Sequence, residues 1–185
     1  MKVNLLLLCI VIGLSGCASK GGSSTTNKTA SPAQANQYSG TGTLVIKAID
    51  FAKNSYVREA VKNECNLITK LTDFIDQNAA KNYANIITDS RSIPRGAEVL
   101  TIEIEQVQGG GGGAWSGAKV VLINGKLTKN GKLLGDFKAR RYSGGGMFAA
   151  YKGTCAILGR CVKTLGSDVA KWLAHPTKNA ALGDL

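Results

Sequence analysis

Histidine occurs once in this sequence, a CxxC pair never, and the phosphate-cradling pattern GxxxxGK[ST] never. The single histidine, His175, precedes Pro176 where a C-terminal helix should end, a place where a histidine simply favours the negative end of the helix dipole. Ser-His-Asp or Cys-His catalysis would have to be built on it. A structural zinc site lacks its paired ligands. The run Gly109 to Gly113 can be read as GxGxxG, yet a strand-like stretch follows it where dinucleotide binding requires a helix. These absences predict a protein that is not an enzyme and holds no metal. Acidic residues are also scarce, 12 against 23 lysines and arginines, for a net charge of +11. Finally, the apolar stretch Leu5 to Leu14 falls well short of the roughly 20 residues that cross a membrane as a helix.

That short apolar stretch follows Met1-Lys2-Val3-Asn4, and a basic start with an uncharged h-region is the signature of a secretory signal. Leu14-Ser15-Gly16-Cys17 resembles the lipobox of bacterial lipoproteins, in which the cysteine is acylated and becomes the new N-terminus. The likeness implies a cleaved signal peptide over 1–16 and a lipid on Cys17, with no cofactor beyond that covalent N-acyl and diacylglycerol lipid. Ala18-Ser19 is similar to the outer-membrane sorting pattern, which implies the inner leaflet of the outer membrane, facing the periplasm. Three acyl chains at ~0.8 kcal/mol per buried CH2 make such an anchor effectively permanent. Residues 17–38 are rich in Ser, Thr, Gly, Asn and Ala and read as a disordered tether.

Residues 39–176 match one domain of ordinary size. Thr43 to Phe51 is apolar on nearly both faces, as a central strand would be, and Leu67, Ile68, Leu71, Phe74 and Ile75 recur at helical spacing within Glu64 to Asn78. A short strand is expected at Asn85 to Thr88. Val99 to Val107 alternates as a strand with one wet face. A hairpin spans about Ala118 to Tyr142 and turns at Asn130-Gly131, the dipeptide suited to two consecutive positive φ angles. A last helix runs from Thr154 to Ala174, and 177–185 is expected as a disordered tail. The pattern predicts an α+β fold, a mostly antiparallel sheet with two helices packed on one face in the order β-α-β-β-β-β-α.

The order of elements, the glycine-rich stretch before the hairpin, Arg140-Arg141-Tyr142-Ser143-Gly144-Gly145-Gly146 and the C-terminal amphipathic helix together resemble a group of uncharacterised proteobacterial outer-membrane lipoproteins. Their fold is similar to the N-terminal domain of the Tol translocation protein. The resemblance implies a fold and a compartment, and carries no catalytic residue.

With Cys9 removed and Cys17 acylated, Cys65, Cys155 and Cys161 remain, and an oxidising compartment favours one disulfide among them. Cys155–Cys161 would require a loop across Gly159. The alternative joins Cys65 to one of the two. Charge is distributed unevenly: residues 106–164 hold ten basic residues and one acid, and seven of the ten lie in the hairpin. Lys126, Lys129, Lys132, Lys138, Arg140 and Arg141 are therefore the candidates for binding an anionic surface. The expected partners are the outer membrane through the anchor and anionic lipid, lipopolysaccharide or an envelope protein; the compartment argues against nucleic acid. The expected function is a non-enzymatic binding or scaffolding component of the envelope, the alternative being a subunit of a homo-oligomeric or multi-protein envelope or secretion complex.

Overall fold

The structure, a computed structural model, describes residues 38–88, 90–109, 119–143 and 153–185. The expected signal peptide, Cys17, most of the tether and the glycine runs 110–113 and 144–146 lie outside the described residues. The described residues form β1 (Thr43–Ile46), β2 (Asp50–Tyr56), α1 (Glu59–Glu64), α2 (Leu67–Ala79), β3 (Asn85–Thr88), β4 (Glu98–Gln108), β5 (Lys119–Lys129), β6 (Lys132–Ser143), α3 (Thr154–Ala174) and β7 (Ala180–Gly183).

The seven strands make one sheet in the order β3-β1-β4-β5-β6-β7, with β2 also paired to β4. The sheet is mixed, and the mostly antiparallel expectation needs correcting. The two long ladders, β4–β5 and β5–β6, are antiparallel, whereas β1–β3, β1–β4, β2–β4 and β6–β7 are parallel. The single strand expected over Thr43 to Phe51 is two, interrupted at Lys47-Ala48-Ile49. Both run parallel to β4 along its length, β1 beside Glu98 to Leu100 and β2 beside Glu103 to Gln106. Continuous apolar character could not reveal that break.

Asn66 adopts φ 49, the left-handed conformation that asparagine tolerates, and so the first helical region is two helices. The hairpin turns where expected: Asn130 and Gly131 have φ 50 and 77, the pair of positive values that a type I′ turn needs.

The core lies between one face of the sheet and the helices. Leu67, Leu71, Ile75 and Ala79 line α2 at four-residue spacing, and Leu158, Val162, Leu165, Val169 and Leu173 line α3. They meet Leu44, Ile46, Leu100, Ile102, Ile104, Val121, Ile123 and Leu127 from the strands. Each such side chain contributes about 1.5–3 kcal/mol by leaving water. A Cβ on Gly166 would stand 2.6 Å from the Phe74 Cβ, so α3 approaches α2 closely at that point. On the opposite face, Val45, Ala97 and Val99 form a small second cluster with Ile87 against it.

Residues 177–185, expected as a disordered tail, instead return to the sheet as β7 beside β6. The Trp172 indole N–H donates to the Thr177 carbonyl at 3.2 Å, and its ring meets Phe137 edge-on at 4.7 Å. Asp184 completes the closure: its backbone N–H donates to the Arg140 carbonyl at 2.9 Å, and its carboxylate accepts from Tyr142 N–H at 2.9 Å. No periodicity marks a four-residue edge strand, which is why the sequence reading missed it.

Cys65 is bonded to Cys155, with their Cα atoms 4.8 Å apart, tying the end of α1 to the first turn of α3. The first expectation, a Cys155–Cys161 bridge, is corrected: α3 is continuous through both positions, and the alternative with Cys65 is the one that forms. Cys161 is a buried thiol whose Sγ lies 3.7 Å from the Lys119 carbonyl.

Candidate functional site

The six basic residues singled out by charge do not share one face. Their strand register and their acidic neighbours divide them. The Arg141 guanidinium gives Asp168 two hydrogen bonds, at 2.7 and 2.9 Å, and gives Asp184 a third at 3.0 Å. Those contacts raise its pKa further above the ordinary value, the Asp168 hydrogen bond being the largest cause. Arg141 therefore clamps α3 and the C-terminal segment to β6, and is withdrawn as a surface ligand. Lys129 pairs with Glu98 at 3.3 Å and Lys138 with Glu105 at 3.2 Å. Arg140 donates to the Asp184 carbonyl. Lys132 flanks the hairpin turn opposite Lys129. Of the six, Lys126 and Lys132 enter no ion pair or side-chain hydrogen bond among the described residues.

Lys126 is the hairpin residue that the tertiary fold places with other cations. It stands across β4–β5 from Thr101, on the sheet face away from the helices, and the Val99–Thr128 pair lies two residues along. That end of the face forms a cavity of about 520 Å³ whose lining includes Lys47, Arg95 and Lys126 and no acidic residue. Lys47 comes from the interruption between β1 and β2, where its backbone N–H donates to the Leu100 carbonyl at 2.9 Å and so fixes the chain beside β4. Arg95 is raised on a turn closed by Ala97 N–H to Pro94 carbonyl at 3.1 Å. Gly96 has φ +79 at the third position of that turn, the conformation glycine supplies without strain. Arg95 and Lys47 likewise enter no ion pair among the described residues.

Of the nearby acids, Asp136 stands directly across β5–β6 from Lys126, with no ion pair between them, and Glu98 is engaged elsewhere. Glu98 accepts from the Tyr83 hydroxyl at 2.9 Å and pairs with Lys129; burial, with the Glu98 charge and hydrogen bond adding to it, drives the Tyr83 pKa upward. Glu103 and Asp136 line a neighbouring, mixed-charge cavity of about 670 Å³ on the same sheet face, which also reaches Lys126. The site can therefore attract an anion, and its apolar side, Ile93 and Pro94 over Val99, offers contact to carbon as well.

His175, the one histidine, does not line this cavity. His175 caps α3 at the C-terminal end, exposed. Among the described residues no group of three His, Cys, Asp or Glu side chains could hold a metal ion. Lys47 and Arg95 carried no sequence signal beyond their charge, since both lie in the half of the chain where acids and bases balance.

The geometry defines a class first: a mixed-sheet α+β domain with helices on one face and a cation-lined cavity on the other. No family model matches the chain and no curated protein matches it. Among solved structures, the chain is similar to a minor lipoprotein of Acinetobacter baumannii at 12% identity, covering 74% of this chain and 92% of that one, with TM-score 0.42. It is similar to the PelC dodecamer of Paraburkholderia phytofirmans at 14% identity, 75% and 93% coverage and TM-score 0.42. A Xanthomonas campestris protein of the DUF330 family aligns at 16% identity, 78% and 89% coverage and TM-score 0.41. At these scores the overlaps carry no argument about function, and they give no support to the expected likeness to the Tol domain. Among the described residues no helix is long and apolar enough to cross a membrane.

Proposed function

We propose that this chain is a lipid-anchored, non-enzymatic binding component of the bacterial envelope, held through Cys17 on the inner leaflet of the outer membrane. The observation that carries the reading is Leu14-Ser15-Gly16-Cys17 behind a basic start and a short apolar run. Two further features support it. The Cys65–Cys155 disulfide suits an oxidising compartment such as the periplasm. The open sheet face bears a cavity lined by Lys47, Arg95 and Lys126 that is suited to an anion.

Metabolic labelling with a radioactive fatty acid, followed by membrane fractionation, tests the anchor. The natural chain is expected to take up label and to sediment with the outer membrane. Cys17→Ser should do neither and should persist as the longer precursor. Labelling of that variant, or its normal fractionation with the outer membrane, would overturn the reading.

A further inference from the structure

We infer that Lys47, Arg95 and Lys126 form a binding site for a phosphate monoester. Three cations converging on one cavity repel one another, and surface lysines and arginines usually relieve this through nearby carboxylates, as Lys129 and Lys138 do with Glu98 and Glu105. Lys47, Arg95 and Lys126 form no such ion pair among the described residues, and the one acid directly across a strand pair from any of them, Asp136 opposite Lys126, is not ion-paired with it. They come from three separate places in the chain, the β1–β2 interruption, the turn before β4, and β5, so local composition does not explain their convergence. The register explains it, because β1 and β5 flank the same end of β4.

Charge selects the ligand. A phosphate monoester carries about −1.5 to −2 at neutral pH, against −1 for a carboxylate or a phosphodiester, and is the closest common match to three cations. The arginine supplies a planar fork suited to two phosphate oxygens, and the lysines act as compact point charges. The Thr101 and Thr128 side chains stand on the same lining and bring hydroxyl donors. The cavity, at about 520 Å³, falls within the size range of small-molecule sites, roughly 300–1,000 Å³. Ile93, 46% exposed, and Pro94 lie on its wall, so the rest of the ligand meets carbon as well as charge. Either a phosphorylated lipid headgroup or a soluble phosphate ester satisfies this chemistry. The inference deepens the binding role proposed above and depends on it only for the compartment in which the ligand is met.

The test is calorimetric titration of the full chain, in a non-ionic detergent, with inorganic phosphate, glycerol 3-phosphate, and dihexanoyl phosphatidic acid below its micelle concentration. Dihexanoyl phosphatidylcholine serves as the control without a monoester. Saturable binding of the monoesters is expected, with no binding of the phosphatidylcholine. Replacing Lys47, Arg95 or Lys126 singly by Met should weaken it about five-fold each, and the triple variant should abolish it. Lys132→Met should leave it unchanged. Tighter binding of the short-chain lipid than of glycerol 3-phosphate identifies a headgroup; equal binding identifies a soluble ester. Each variant is checked by its thermal unfolding midpoint, which should not move, because all three side chains are exposed. Absence of saturable binding, binding retained by a folded triple variant, or an equal loss in Lys132→Met would overturn the inference. The anchor is read separately by lipid labelling, so failure of one experiment leaves the other standing.

Discussion

Single residues in this domain are governed by what they are packed against more than by what they are. Arg140 and Arg141 are adjacent and alike in sequence, yet alternation along β6 turns one toward solvent and the other toward Asp168 on α3. Cys161 shows the same dependence. Burial is the largest cause that pushes its thiol up to about 11 from an ordinary 9.0, with the Asp184 charge adding to it. A buried neutral thiol favours the folded state as long as the unfolded thiol stays protonated. Its contribution is therefore whole below pH 9 and is lost as pH rises toward about 11, where the unfolded chain ionises first. Iodoacetamide at pH 8 should leave Cys161 unmodified in the native protein and label it fully in urea. Rapid labelling of the native thiol, mapped by peptide mass, would contradict the burial.

At the scale of elements, the contact between α2 and α3 is set by a missing side chain. Gly166 lies in the middle of α3, where glycine would ordinarily cost about 0.8–1.0 kcal/mol relative to alanine. The gain from replacing it is denied because a Cβ there would meet backbone of α2, at 2.9 Å from the Phe74 carbonyl carbon and 3.1 Å from the Ile75 nitrogen. Gly166→Ala should therefore destabilise the fold by about 1–3 kcal/mol instead of stabilising it. Urea unfolding monitored by circular dichroism measures the sign directly, and a more stable variant would mean that the helices are free to separate. The corresponding substitution at Gly159, whose added Cβ meets nothing within 4 Å, is the control, expected to be neutral or stabilising.

Across the whole domain, the Cys65–Cys155 bond joins positions 90 residues apart, and it encloses α2, β3, β4, β5 and β6 between them. A crosslink of that span restricts the unfolded chain strongly, by about 4.6 kcal/mol in the chain-entropy account. Replacing both cysteines by Ala should lower stability by an amount of that order while leaving the far-ultraviolet spectrum unchanged. Reduction of the natural protein should reproduce the loss, and an unaffected unfolding midpoint in both experiments would show that the bond constrains little.

Local order was readable wherever a residue's spacing or dihedral demand carried it. The anchor motif is contiguous, α3 is a long apolar stripe, and the Asn130-Gly131 turn rests on two residues that accept positive φ. The α3 stripe and the turn are legible in the sequence, and the proposed anchor is read there too, because each depends on neighbours a few positions away. Strand order, the break between β1 and β2, the return of β7 and the choice of Cys65 as partner for Cys155 depend on segments tens of residues apart. The cation-lined cavity belongs with them. Lys126 lies inside a basic hairpin, but Lys47 and Arg95 sit where bases and acids nearly balance, ten against nine over 17–105, and only the flanking of β4 by β1 and β5 brings the three together. Electrostatic interactions act through space and are blind to sequence separation, so the tertiary structure alone decided which charges are neutralised and which are left to meet a ligand.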